Sequence, residues 1–133
     1  MHRDNLVVLR GHISSPPKQR ELPSGSILLM LEVTTRPPTA SVPVVWFEPP
    51  ERCGLDSDTP VDTEVIVIGH VRRRFFRAAG TTQSRTEVVA DTVCRVRRAR
   101  EVEQVMARAL DAVGAIAAEP GDDYDRRHER HPQ

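Results

Sequence analysis

The chain has 133 residues with 38% hydrophobic and 29% charged content, enough for one domain with a real core and too apolar for a disordered chain. Lys and Arg number 19 against 19 Asp and Glu, so the net charge of zero neither favours nor opposes a polyanionic partner. Two cysteines are too few for a disulfide framework or a zinc quartet, and no stretch has the length of a membrane-spanning helix.

Charge distribution says more than the total. From Met1 to Arg98 there are 14 Lys and Arg against 11 acids; from Ala99 to Gln133 there are 5 against 8. The front is mildly basic and the tail acidic. Lys18 is the only lysine. Arginine offers a planar fork of donors suited to phosphate and to stacking on bases. The opening MHRDNLVVLRGH carries no secretory pattern. A cytoplasmic protein with reduced Cys53 and Cys94 is therefore expected.

In chain order, Asn5–Ile13 (NLVVLRGHI) predicts a first strand with a bend or bulge at Gly11. SSPPKQRELPSG reads as a loop or broken hairpin. Ser26–Thr35 is the second strand, RPPTASVP a Pro-rich connection, and Val42–Phe47 the third strand. EPPERCGLDSDTPVD is irregular, with room for one short helical turn. Glu64–Phe76 is the fourth strand and Arg85–Cys94 the fifth, joined through AAGTTQS. Five strands without an intervening helix predict a small antiparallel barrel or sandwich. Arg98–Ala118 then predicts a helix, with Val102, Val105, Met106, Ala109, Val113 and Ile116 on one face. Glu119-Pro120-Gly121 stops it, and the charged segment after it reads as disordered.

The stretch Arg72–Asp91, RRRFFRAAGTTQSRTEVVAD, carries the most chemistry. Alternate strand residues share a face. His70, Arg72, Arg74 and Phe76 therefore lie on one side. Val65, Val67, Gly69, Val71, Arg73 and Phe75 lie on the other. The first set is a row of cations and a ring, spaced by about 7 Å per two residues. Single-stranded nucleic acid needs cations for phosphates and rings for unstacked bases. A solvated hairpin tip with its phenylalanines packed on a neighbour is the competing reading. His70 reads as a surface histidine on the arginine side. The other histidines are scattered, and those at His128 and His131 read as solvated.

The order of these parts resembles the bacterial single-stranded DNA-binding protein family, an OB fold, over Asp4 to Val96. NLVVLRGHI is similar to its opening strand. Pro17, Arg20, Pro23, Ser24 and Gly25 match a family run of proline, arginine and a Pro-Ser/Asn-Gly turn. VPVVWFEP, VIVIGHVRRRFF and TEVVADTV resemble its later strands. The resemblance implies a five-stranded OB-fold barrel at residues 1–97, followed by an amphipathic helix at 98–119 and a charged tail at 120–133. It implies sequence-tolerant binding of single-stranded DNA in replication, recombination or repair. Phe76 and Phe47 fall on stacking positions and Trp46 on a core position. Arg10, Arg20, Arg36, Arg72, Arg74, Arg77 and Arg85 are the implied phosphate contacts. A tetramer or dimer, replication or repair proteins as partners, and a nucleoid-associated location follow from the same likeness.

The departures from that pattern are specific. Ser41 and the run Arg36-Pro37-Pro38 stand where the family carries aromatics. The tail ends in His-Pro-Gln without an acidic-hydrophobic tip. The helix has no counterpart. An interaction protein with reduced DNA binding, acting through that helix, is the alternative. No convergent catalytic cluster, metal site or cofactor loop stands out, so an enzyme is not expected.

Overall fold

The computed structural model describes residues 5–36 and 41–118. The expected charged tail, His2, His128 and His131 lie outside the described residues. The described chain is mostly β-sheet with one C-terminal helix: β1 (Val7–Ile13), β2 (Lys18–Glu21), β3 (Ile27–Thr35), β4 (Val42–Phe47), β5 (Glu64–Ala78), β6 (Thr81–Arg95) and α1 (Ala99–Ala118).

Among the described residues there are six strands, not the five expected. The added one is β2, the KQRE segment of the predicted loop, held antiparallel to β3 from Lys18↔Met30 to Glu21↔Ile27. Its prolines flank the segment and leave four residues free to join a ladder, while Gly25 takes the turn at φ 89°. The sheet order is β1-β5-β6-β4-β3-β2, and β1 also pairs with β3. The contacts β1–β5–β6–β4–β3 thus return to β1. One of them, β4 to β6, is parallel, against the antiparallel expectation. It arises because the connection from Glu48 to Thr63 carries the chain from β4 to β5 without pairing them, and β6 then returns between the two in the direction of β4. That connection contains turns and bends and no helical turn.

The inner side holds one core of Ile13, Leu29, Leu31, Val33, Val44, Trp46, Val65, Val67, Val88, Ala90 and Val93, closed by Leu55 from the long connection. Trp46, 5% exposed, is a core residue. A second cluster lies outside the sheet, where Ile66 and Ile68 of β5 meet Val105 and Ala109 of α1. The first half of β5 is therefore covered on both faces, which is why VIVI runs without polar alternation. Helix α1 packs by Val102, Val105, Met106 and Ala109, the early part of its predicted stripe. Later in the helix Val113 of the stripe is 49% exposed and Ile116 half-buried, and Leu110, off the stripe, is 71% exposed.

Two glycines mark close approaches. At Gly11, β1 passes from β5 to β3, and a Cβ would collide with the Thr34 carbonyl. At Gly69 a Cβ would collide with the Val89 carbonyl. The β5–β6 register shifts there: Ile68 faces Thr92, Gly69 faces Ala90, and Asp91 is the extra residue of a bulge. Beyond Val71 the two strands form a ribbon paired only with each other. The Asn5 side chain closes the ladder at its root, its Nδ2 donating to the Val71 carbonyl and its Oδ1 accepting the Val71 N–H, both at 2.7 Å. The ribbon ends in a two-residue turn in which Ala79 (φ 51°) and Gly80 (φ 79°) are both left-handed, so the strands run closer to the turn than the sequence predicts.

Candidate nucleic-acid interface

Strand registers place one continuous outer face across five strands. His70 lies opposite Val89, Val89 beside Val45, Val45 opposite Met30 and Met30 opposite Lys18. Neighbouring rows on the same face carry Arg72 opposite Glu87, Arg74 opposite Arg85 and Phe76 opposite Gln83 on the ribbon. On the far side Phe47 lies opposite Leu28 and Leu28 opposite Arg20. The floor is apolar and the rim cationic. The period-two reading of β5 thus gives the correct partition, and β2 to β4 extend it into a groove.

Electrostatics within this face centre on a residue that the sequence reading did not single out. Glu87 is 2% exposed. Arg74 Nε donates to its Oε1 at 2.9 Å, and Arg72 Nη2 stands 3.7 Å from its Oε2. Arg85 Nη2 donates to Glu32 Oε1 at 3.2 Å. Three arginines are thus held by two carboxylates, and each keeps roughly half its side-chain surface open to solvent. With Lys18 and Arg20, the face carries five cations against two anions. Two of the guanidiniums also lie over rings: Arg72 over Phe47 at 5.3 Å and Arg74 over Phe76 at 5.2 Å. A ring covered on one side by guanidinium leaves its other side for a base, and the guanidinium keeps free N–H groups for phosphate. The signal for Glu87 was present in TEVVAD. Counting back from a two-residue turn at Ala79-Gly80 puts that glutamate opposite Arg72.

The remaining expected contacts lie elsewhere. Arg77 is on the opposite side of the ribbon with Phe75 and donates to the Gly80 carbonyl at 3.2 Å. That side has its own stack, Arg73 over Phe75 at 5.6 Å, and Phe75 is the most exposed large apolar residue of the ribbon at 65%. Arg10 and Arg36 line a separate cleft of about 770 Å³ with His12, Asp62 and Glu64. There Arg10 makes two bonds to Glu64, at 3.3 and 3.4 Å. His70 is buried, not on the surface as expected.

Among the described residues no group of three or more His, Cys, Asp or Glu is placed to hold a metal ion, and no helix is long and apolar enough to cross a membrane. No known family model matches the chain, and no curated protein matches it.

Proposed function

We propose that the protein binds single-stranded DNA, with little sequence preference, on the outer face of its sheet, in support of replication, recombination or repair. The observation that carries this reading is the gathering of Lys18, Arg20, Arg72, Arg74 and Arg85 with Phe47 and Phe76 on one face of five adjoining strands. Phosphates pair with the guanidiniums and bases stack on the open sides of the two rings. The circuit of pairings that returns to β1 supports an OB-fold barrel, whose binding surface is the face of its second and third strands together with the hairpin between its last two. In this chain those parts are β3, β4 and the β5–β6 ribbon. Assembly as a dimer or tetramer belongs to the same reading.

A second reading has its own observation. Glu87 and Glu32 already engage three of the arginines, and the late part of α1 leaves Leu110 and Val113 uncovered. An interaction protein with reduced DNA binding would show both. The deciding experiment is binding of the full chain to labelled oligo-dT over a salt series, with duplex of equal length as control. Affinity for the single strand alone, falling steeply with salt, supports the first reading. No binding at low salt overturns it in favour of the second.

A further inference from the structure

A second group of arginines lies outside the groove. Arg52 of the long connection, Arg95 at the end of β6, Arg97 just after it and Arg108 of α1 line one cleft of about 440 Å³ between the helix and the sheet. Arg97 reaches across to the connection, where its Nη2 would stand 3.2 Å from a Cβ on Gly54. Two acids, Asp91 and Glu101, share the cleft. Among the described residues none of the four arginines is in an ion pair. This is the reverse of the groove, where Arg72, Arg74 and Arg85 are all held by carboxylates.

The cleft and the groove share a strand. Strand β6 lines both, by Arg85 and Glu87 in the groove and by Asp91 to Arg95 in the cleft. From Arg85 to Arg95 the strand advances about 33 Å at 3.3 Å per residue. No ring stands open in the cleft, since its Trp46 is 5% exposed. It therefore offers charge without a stacking platform, which suits a phosphate backbone and not a base.

We infer that the cleft is the second half of one strand path, in which Arg52, Arg95, Arg97 and Arg108 bind the phosphates of a single strand leaving the groove along β6. This rests on the reading of the groove as a single-stranded DNA site. It gives α1 a part in binding: through Arg108 the helix forms one wall of the path. The path then ends on the cleft side of the sheet, and the tip of the ribbon marks its other end.

The test uses the full chain and a triple variant, Arg52→Gln, Arg97→Gln and Arg108→Gln, all three being exposed positions. Oligo-dT of about 6 nucleotides fits the groove, whereas about 20 exceeds one OB-fold site. The variant is expected to bind the short oligomer as the parent does and the long one about tenfold more weakly. Its slope of log affinity against log salt with the long oligomer should be shallower by about 2, at about 0.7 for each phosphate no longer neutralised. Cys53 and Cys94 both line the cleft and give an independent readout. Alkylation of both thiols should be slowed by the long oligomer and not by the short one.

Unchanged slopes with unprotected thiols would overturn the inference while leaving the groove reading intact, provided the parent protein binds both oligomers. A parent that binds neither would remove the groove reading and the inference with it. Protection of the thiols by poly-glutamate but not by the long oligomer would overturn it in favour of an acidic protein partner.

Discussion

The groove and the helix-side cleft are both lined by arginine, yet they hold it in opposite ways. In the groove Arg72, Arg74 and Arg85 are fixed by Glu87 and Glu32, and two of them are stacked on rings. In the cleft Arg52, Arg95, Arg97 and Arg108 are without carboxylate partners among the described residues. A held guanidinium has given up part of its charge but has little rotamer freedom left to lose on binding. An unpaired one carries its full charge and must be ordered by the ligand. The groove is thus built for geometry, with rings and directed donors, and the cleft for charge. Zero net charge over the whole chain conceals this division.

The comparison breaks first at the rings. Phe76→Ala is expected to weaken binding of oligo-dT by about 1–3 kcal/mol, and Phe47→Ala by a similar amount. Phe75→Ala, on the other side of the ribbon, should change it far less. Fluorescence titration of the three variants checks this, and equal losses would mean that the side of Phe75 belongs to the site.

Next comes the carboxylate that orders the groove. Glu87→Gln removes the charge shared by two guanidiniums while keeping the shape. Chemical denaturation should show a loss of about 1–2 kcal/mol, the scale of hydrogen bonds to charged groups in a half-open setting. The salt dependence of binding should steepen, because two arginines recover their charge. A slope that stays put would mean that the pairing with Glu87 does not limit the groove.

The cleft has a smaller but distinct signature. Burial, and after it the Glu101 carboxylate, push the Cys94 thiol above its ordinary pKa, against the pull of Arg108 and Arg97. The thiolate is the reactive form, so alkylation of Cys94 should rise only at a pH above that for free cysteine. Glu101→Gln removes one raising influence and should move that profile to lower pH, with a several-fold faster reaction near neutrality. A profile unmoved by the substitution would show that the carboxylate does not face the thiol.

The smallest effect lies at the ribbon tip. Ala79 holds a left-handed conformation that alanine disfavours. Ala79→Asn should raise stability by about 0.5–1 kcal/mol with binding unchanged. A fall in affinity would place the turn itself in the site.

How much of this was legible depended on where apolar patterning was present. Ile27–Thr35 and Val42–Phe47 are apolar runs bounded by turn residues, with one side in the core, and the sequence locates both strands within a residue. β2 was invisible because all four of its residues are exposed, leaving a backbone ladder with no hydrophobic signature. The parallel contact of β4 with β6 was equally hidden, since patterning marks faces and not partners. Arg72, Arg74 and Phe76 were placed on one face from period two alone. Arg77 is joined to them only by the family likeness, and alternation puts it on the other side. Arg10 and Arg36 are implied by their places near strand ends, though β1 and the residue just after β3 bring them to another side of the molecule. Glu87 was missed because a partner across the ribbon can be named only once the turn is known to be two residues long.

The bulge at Asp91 sets how β6 can vary. Before it, odd positions such as Glu87 and Val89 face outward; after it, even positions such as Thr92 and Cys94 do. The strand therefore carries two messages in opposite phase, one written to the groove and one to the helix side. Substitutions can edit either message without touching the other. A regular ladder that kept Asp91 as a paired residue would instead shift one frame against the other, turning Val93 out of the core and Thr92 into it. At the Ala79-Gly80 turn both frames begin together, so added residues there lengthen the tip and garble neither. Drift in this region should accordingly run through substitution along β6 and through length at the tip or at the bulge residue Asp91.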